Sequence, residues 1–235
     1  MDQRESGLNI NMPTAVIIAG LFIAGAILLS NPPSAINDTN ENVQGPNSDE
    51  PLTMPAIITD DDHFYGNPKA KIVMVEYSDT ECPFCKSVHP TFKKMVDESR
   101  GQVAWVYRHF PLDNIHKKAR VEAMATECVA ELGGNDKFWE YTERLFEVTP
   151  SNDQLDPARL PQIALDVGLD ANKFNECLSS EKYKEKIETH LKDGLAVGVT
   201  GTPTTVLLNT KGEAILVSGA QPESKFIEEI NKLLN

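Results

Sequence analysis

Two cysteines separated by two residues are the first feature of this chain that could do chemistry. The stretch 80–86 reads TECPFCK and contains Cys82 and Cys85 directly after the apolar run KIVMVEY. A buried strand would give way to a helix at this point. Cysteine pairs with this spacing bind zinc, attach haem, form a structural disulfide or exchange electrons with other thiols. The surrounding residues help to distinguish these four kinds of site.

A metal or haem site is not supported by the neighbouring residues. Structural zinc usually needs four ligands, often two such pairs. The remaining cysteines, Cys128 and Cys177, stand singly, and although His89 lies four residues after Cys85, a fourth ligand has no candidate. A c-type haem site needs histidine directly after the second cysteine, where this chain has Lys86. We therefore expect no metal and no cofactor at this pair, which leaves a disulfide.

The context of the pair favours a reactive disulfide over an inert one. At a strand-to-helix junction, Cys82 lies at the helix N-terminus and Cys85 one turn inside. Free backbone N–H groups and the helix dipole stabilise a thiolate there, and the thiolate is the attacking species in disulfide exchange. Pro83 suits the first helical position because its missing N–H has no helical partner there. Glu81 opposes the thiolate only if its carboxylate points toward the sulfur, and the sequence leaves that direction open.

Patterns around the pair predict alternating strands and helices. Within a long helical block, Gly133-Gly134 indicates a helix end, and Asp156 and Asp170 indicate helix starts because aspartate is a favoured N-cap residue. The predicted elements are a strand at Ile72–Val75, a helix at Pro83–Ser99, a strand at Val103–His109, a helical block at 115–193, strands at 200–209 and 213–219, and an amphipathic helix at 222–234.

The N-terminal part of the chain differs in composition from the rest. Residues 1–62 contain one base, Arg4, against nine acids, so they carry most of the formal net charge of −13. This acidity argues against nucleic acid as a partner. Residues 12–30 are uncharged and would span roughly 28 Å as a helix, close to the hydrocarbon thickness of a bilayer. A cleaved signal peptide is the alternative, but the N-terminus is not basic, and Pro33 occupies a position where a cleavage site needs a small residue.

We therefore expect an uncleaved, single-pass transmembrane helix at 12–30. The only early base precedes it and the next, Lys69, comes much later, so the positive-inside tendency leaves a short cytoplasmic N-terminus at 1–11. The remainder would lie outside the cytoplasm, attached to the cell membrane. Residues 31–55 are rich in Pro, Asn and acidic residues and predict a disordered linker.

The chain resembles the DsbA-type thiol–disulfide oxidoreductases of the thioredoxin superfamily over about residues 56–235. The resemblance rests on VEYSDTECPFC with GTPT far downstream and a helical block between them; CxxC alone would be weak. It extends to GNPKAKIVMVEYSD, to YRHFPL with His116 after it, and to FNECLSSEKY. It implies a thioredoxin-like α/β fold built from 56–110 and 194–235, with a helical subdomain inserted at 111–193.

The resemblance also implies a role for each site residue. Cys82 would be the exposed nucleophile and Cys85 its buried partner. Pro203 matches the cis-proline that faces the pair, and the backbone of Thr202 would pair with an extended substrate segment. A plain proline at a strand entry is the alternative for Pro203. Glu76 matches an acidic group that relays a proton to the buried sulfur, although a strand-end carboxylate paired with lysine is the alternative.

Cys128 and Cys177 have two interpretations. Two free buried thiols are the simpler one, since cysteine is a common core residue. Outside the cytoplasm a structural disulfide is favoured, and closing a loop of about 50 residues would stabilise the fold by roughly 4 kcal/mol. Other residues are expected to have ordinary positions: surface or capping sites for His63, His109, His116 and His190, and core sites for Trp105 and Trp139.

The function implied by the resemblance is the introduction of disulfides into exported proteins that carry free thiols. A quinone-linked membrane partner would re-oxidise the pair. The same fold also serves reductases and isomerases, and a small change in reduction potential decides the direction. From another class, the domain could be a non-catalytic peptide-binding module of the cell envelope. The presence of Cys82, Cys85 and Pro203 together argues against the module.

Overall fold

The structure is a computed structural model and describes residues 58–59 and 61–235. The predicted cytoplasmic N-terminus at 1–11, membrane anchor at 12–30 and linker at 31–55 lie outside these residues. Within the described ranges, no helix combines the length and the apolar character that crossing a bilayer requires.

A mixed sheet of five strands forms the centre of the described region. In space the strands follow the order β1-β3-β2-β4-β5, with β2 and β3 parallel and the other neighbours antiparallel. The central strand β2 is buried at every position, as its apolar sequence predicts. The edge strand β1 is too short to give a clear pattern and was not expected. The strands are β1 (His63–Gly66), β2 (Ile72–Ser78), β3 (Val103–His109), β4 (Thr204–Asn209) and β5 (Ala214–Ser218).

The helices in the described region follow the predicted order. The insertion between β3 and β4 consists of α2 to α5, with a short 3-10 turn at Pro157–Arg159, and this confirms the expected helical insertion. The long helix α2 breaks at Gly134, whose φ of 81° suits glycine, at the predicted helix end. The helices are α1 (Pro83–Glu98), α2 (Ala119–Val148), α3 (Leu160–Asp166), α4 (Ala171–Ser179), α5 (Lys184–Ala196) and α6 (Glu223–Leu234).

Both faces of the sheet are covered. Alternate residues of a strand point to opposite faces, so Met74 joins Phe92 of α1 and Phe226 of α6 in one cluster, whereas Val75 packs on the other face with Leu191 of α5. Trp105 and Trp139 are buried in the first cluster, as expected. A further cluster, which includes Tyr141, Leu145 and Phe174, holds α2, α3 and α4 together. The central strand thus holds the start of α1 against a packed core.

The expectation of surface or capping positions for four histidines is wrong, because His63, His109, His116 and His190 are all buried. Each has a polar partner that is distant in sequence. Glu127 lies 3.1 Å from Nε2 of His63 and 2.9 Å from Nε2 of His109. Nδ1 of His190 accepts a hydrogen bond from the backbone N–H of His109. Buried polar groups need such partners, and the sequence does not show which residues supply them.

Candidate active site

The end of β2 and the start of α1 position the cysteine pair. After Ser78 ends β2, three loop residues lead to Cys82, the N-cap residue of α1, whose backbone is extended (φ −80°, ψ 120°). Pro83 opens the helix, as its fixed φ favours. Cys85 lies in the first turn and is completely buried. This arrangement places backbone N–H groups of the helix start at the Cys82 sulfur, where they stabilise negative charge.

A loop from far along the chain covers the pair. The peptide bond between Thr202 and Pro203 is cis, and Pro203 directly precedes β4. Because β4 pairs with β2, with Thr204 opposite Tyr77, this loop lies at the same end of the sheet as the cysteines. The Cys82 thiol contacts the carbonyl oxygen of Thr202, with a distance of 3.5 Å between sulfur and oxygen. The structure therefore brings together two cysteines and a proline loop that lie about 120 residues apart.

The expectation of an exposed Cys82 is wrong, because only 3% of the residue is exposed. The Thr202 backbone lies over the sulfur and removes it from most of the solvent. Phe84, between the two cysteines, is instead 63% exposed. A partner protein would therefore contact the phenyl ring of Phe84 first, because the Thr202 backbone covers the neighbouring Cys82 sulfur.

The two cysteines differ in acidity. The hydrogen bond from the Cys85 thiol, helped by Thr202 and by the N–H groups at the helix start, lowers the pKa of Cys82 to about 6. Burial raises the pKa of Cys85 well above its ordinary value, and the nearby negative charges of Cys82 and Glu76 add to that effect. The backbone N–H of Asp79 lies 3.5 Å from the Cys85 sulfur. Cys82 is therefore the thiolate and Cys85 the protonated thiol at neutral pH.

Glu76 lies on β2 and is completely buried. Its Oε2 accepts a hydrogen bond of 3.0 Å from Nε1 of Trp105, so its partner is an indole and not a lysine. Burial, together with the charge of a Cys82 thiolate and against the hydrogen bonds from Ser78 and Trp105, raises the pKa of Glu76 to about 8. At neutral pH the group is mostly a carboxylic acid within electrostatic range of both cysteines. A proton is thus available near the buried sulfur.

Glu81 does not oppose the thiolate. Its Oε2 accepts a hydrogen bond of 2.6 Å from the backbone N–H of Asp153, and its backbone oxygen accepts one of 2.8 Å from Asn152. The carboxyl group of Glu122 on α2 lies against it, and both residues are completely buried. Burial, followed by the hydrogen bond to Glu81, raises the pKa of Glu122 to about 9. The Glu122 carboxyl group is therefore protonated at neutral pH, next to Glu81 on the side facing the helical insertion.

The loop held by Glu81 has an unusual backbone. Ser151, Asn152 and Asp153 all have left-handed φ values, 66°, 55° and 61°. Such values are uncommon outside glycine, and a structure retains them where the surroundings hold them in place. Here Lys86 of α1 also donates a hydrogen bond from Nζ to the carbonyl of Thr149, 2.6 Å away. The loop therefore connects the helical insertion to both ends of the cysteine motif.

Sequence reasoning missed the polar shell around the pair. Asp79, Glu81 and Glu122 were not singled out for this role, and His116 was placed at the surface. One signal was available: Ser78 to Glu81 form an unbroken polar run between a buried strand and the cysteines. All four residues of the run are buried. Their partners come from α2 and from the loops at 112–118 and 149–153, and no local pattern identifies these.

Cys128 of α2 and Cys177 of α4 form a disulfide in the structure. It lies in the core of the helical insertion, together with Phe174 and Leu145. The insertion core and the Cys82 site belong to different clusters of buried residues. The position of this second disulfide suits a structural role.

Two comparisons with known proteins identify the family. A sequence model of one family, described as Thioredoxin, matches residues 59–227. The crystal structure of Pseudomonas aeruginosa DsbA2 is 31% identical to this chain with a TM-score of 0.57, and the match covers 73% of this chain and 94% of that one. The chain belongs to the thioredoxin family, in its DsbA-type branch. The thioredoxin-like α/β fold predicted from the motifs is confirmed.

Other similar proteins agree on the fold. Bacillus subtilis BdbD in its oxidised form is 23% identical with a TM-score of 0.65, and the match covers 74% of this chain and 92% of that one. Among curated proteins, one from Salinispora tropica named Na(+)/H(+) antiporter NhaA 3 is 34% identical over 145 residues, which are 62% of this chain and 21% of that protein. The chain thus spans about a fifth of the length of the curated relatives it matches.

Proposed function

We propose that the protein is an extracytoplasmic thiol–disulfide oxidoreductase that introduces disulfides into exported proteins. The observation that carries the proposal is the contact between the Cys82 sulfur and the backbone oxygen of Thr202, which precedes the cis-proline Pro203. An extended peptide that paired with the backbone of Thr202 would bring its own cysteine to Cys82. The fold match to Pseudomonas aeruginosa DsbA2 supports the same class of reaction.

The reaction follows from the different acidity of the two sulfurs. A substrate thiolate attacks Cys82 in the Cys82–Cys85 disulfide, and a mixed disulfide forms while Cys85 leaves and takes a proton. Glu76 is positioned to supply that proton as a buried carboxylic acid. A second substrate thiolate then attacks its own sulfur in the mixed disulfide, and Cys82 leaves as a thiolate. The substrate loses two electrons, the cysteine pair gains them, and no cofactor takes part.

The direction of exchange is argued from the stability of the leaving group. The helix start and Cys85 lower the pKa of Cys82 to about 6, which stabilises the reduced pair and makes its disulfide more oxidising. This favours an oxidase over a reductase or an isomerase. For repeated turnover, the reduced cysteine pair must pass its electrons to an acceptor. We propose that this acceptor is a quinone-linked membrane protein, and that the apolar segment at 12–30 keeps the chain at the same membrane.

The decisive test uses two variants of the full chain and a model protein in two forms, reduced with free thiols and oxidised with its disulfides intact. Cys82→Ala should abolish exchange, because the sulfur that forms the mixed disulfide with the substrate is missing. Cys85→Ala, mixed with the oxidised model protein, should accumulate a mixed disulfide, because the Cys82 thiolate attacks the substrate disulfide and no Cys85 thiol is present to release the product. Gel shifts under non-reducing conditions after acid quenching report both. If wild type and variants bind the model protein equally and none exchanges disulfides with it, the result would favour a peptide-binding module and contradict the proposal.

The direction is tested separately with the wild-type chain. Equilibration in glutathione buffers, followed by thiol trapping, measures the reduction potential of the Cys82–Cys85 pair. A potential in the oxidising range, above that of the glutathione pool, is expected for an oxidase. A potential near that of cytosolic reductants would instead assign the chain to the reductases.

A further inference from the structure

Asp79 connects the cysteine pair to a buried histidine. Its backbone oxygen accepts a hydrogen bond of 3.1 Å from the N–H of Cys82, and its backbone N–H points at the sulfur of Cys85. Its carboxylate accepts a hydrogen bond of 2.9 Å from Nδ1 of His116 and one of 2.7 Å from the N–H of Leu112. One residue therefore holds both cysteines and the loop that carries His116.

His116 is surrounded as an imidazolium would be. Only 2% of it is exposed, and the nearby side chain of Asn152 also favours the protonated ring. The carboxylate of Asp79 accepts from Nδ1 and attracts a positive charge on the ring. Burial by itself lowers the pKa of His116, but Asp79, the Cys82 thiolate and Asn152 outweigh it, and the pKa lies above its usual value.

The other charged side chains near the His116 ring have hydrogen-bond partners of their own. Asp153 accepts hydrogen bonds from the backbone N–H groups of Lys117 and Lys118. The ammonium groups of these two lysines donate to backbone carbonyls. The groups that face His116 or its partner are Asp79 after β2, Cys82 at the start of α1, Glu122 on α2, Asn152 and Asp153 after α2, and the adjacent Lys117 and Lys118.

We propose that His116, oriented by Asp79, is a positioning residue for thiol–disulfide exchange whose positive charge stabilises the Cys82 thiolate. The inference rests on the proposed function and assigns a further residue to it. When Cys82 leaves as a thiolate, the charge that develops on sulfur interacts electrostatically with the protonated His116 ring, which Asp79 holds in place. Interaction energy with a fixed buried charge is larger than with one in water, because little solvent screens it.

The test separates the charge of His116 from its hydrogen bond. His116→Asn keeps an N–H donor for Asp79 but removes the positive charge. In the reduced full chain, titration of thiolate absorbance should show the pKa of Cys82 rising, so that the thiolate fraction at pH 5 falls by about threefold or more. At pH 8, where Cys82 is mostly ionised, the ratio of reduced to oxidised pair at a given glutathione ratio should fall by about the same factor. His190→Asn, which also replaces a buried histidine and keeps its acceptor, should leave the titration unchanged.

A second measurement needs no change at His116. Charge coupling is reciprocal, so removal of the thiolate must lower the pKa of His116 by as much as removal of the imidazolium raises the pKa of Cys82. NMR titration of the imidazole in reduced wild type and in Cys82→Ala measures this directly. An equal pKa of His116 in both proteins, or an unchanged Cys82 titration in a folded His116→Asn variant, overturns the inference.

Failure of this inference differs from failure of the proposed function. If Cys85→Ala traps no mixed disulfide, the exchange function fails, and the titrations of Cys82 and His116 still measure their coupling. If the mixed disulfide forms and the two groups titrate independently, exchange stands and His116 has only a structural role.

Discussion

At the scale of single residues, the site depends on carboxyl groups that keep their protons. Burial raises the pKa of Glu76 to about 8 and that of Glu122 to about 9. Each group lies near another negative charge, the Cys82 thiolate for Glu76 and the Glu81 carboxylate for Glu122. A protonated carboxyl group avoids that repulsion and can still donate a hydrogen bond or a proton. A protonated Glu76 therefore adds no negative charge next to the Cys82 thiolate.

The raised pKa of Glu76 lowers the free energy of unfolding at neutral and higher pH. Between pH 4.5 and about 8, the unfolded chain has lost the Glu76 proton while the folded protein retains it. The folded state then binds more protons, so the free energy of unfolding falls as pH rises across this window. Glu76→Gln removes the titration and keeps an acceptor for Trp105. We expect the variant to gain about 2 kcal/mol or more over wild type at pH 8 and little at pH 4.

Urea unfolding of wild type and Glu76→Gln at pH 4, 6 and 8 checks this expectation. The difference between the two proteins is the quantity of interest, because other groups titrate equally in both. A constant difference across the three pH values would contradict a raised pKa for Glu76. If Glu76 also supplies the proton that Cys85 takes up on leaving the disulfide, substrate thiols should reduce the Cys82–Cys85 disulfide more slowly in Glu76→Gln than in wild type, although the variant is the more stable protein.

At the scale of elements, the helical insertion is stabilised within itself and attached to the sheet by separate contacts. Internally, the disulfide between Cys128 and Cys177 joins α2 to α4 across 49 residues of sequence. Externally, the loop after α2 binds Glu81 and Lys86 beside the cysteine pair. Stability of the insertion and chemistry at Cys82 should therefore respond to different substitutions.

Removal of the second disulfide tests this separation. The double variant Cys128→Ala, Cys177→Ala should lose about 2–4 kcal/mol of unfolding free energy, since the unfolded chain is no longer constrained. Exchange at Cys82 should remain within about twofold of wild type under native conditions, where the protein stays folded. Urea unfolding and the exchange assay are done on the same preparations. A large loss of exchange in the folded variant would show that this disulfide takes part in the reaction.

At the scale of the whole molecule, position in the cell is proposed from the uncharged segment at 12–30. The proposal predicts that the full chain stays with membranes after alkaline carbonate washing. Leu21→Arg with Ile23→Arg should release it, since each charge at a bilayer centre costs about 2.5–3.5 kcal/mol. The matched control is Leu21→Val with Ile23→Val, which keeps the segment apolar. Recovery of the wild-type chain in the wash, or equal behaviour of the two variants, would contradict a membrane anchor.

Much of the fold could be predicted because its signals are local. The run Ile72–Val75 is apolar because both sheet faces above and below it are covered, and Pro83 and Gly134 mark helix boundaries through their backbone preferences. The short edge strand β1 has only four residues and depends on pairing with β3, so its own pattern is weak. Its prediction requires knowledge of the neighbour.

The sequence by itself determined the reactive pair and the order of the elements, because these depend on residue types at fixed short spacings, whereas the facing position of Pro203 was implied by the family resemblance. Only the tertiary structure decided which way Glu81 points, that the Thr202 backbone covers Cys82, and that His116 lies beside Asp79. These facts depend on contacts between segments from 30 to 120 residues apart. Burial and the pKa values that follow from it are properties of such contacts, and no single stretch of sequence contains them.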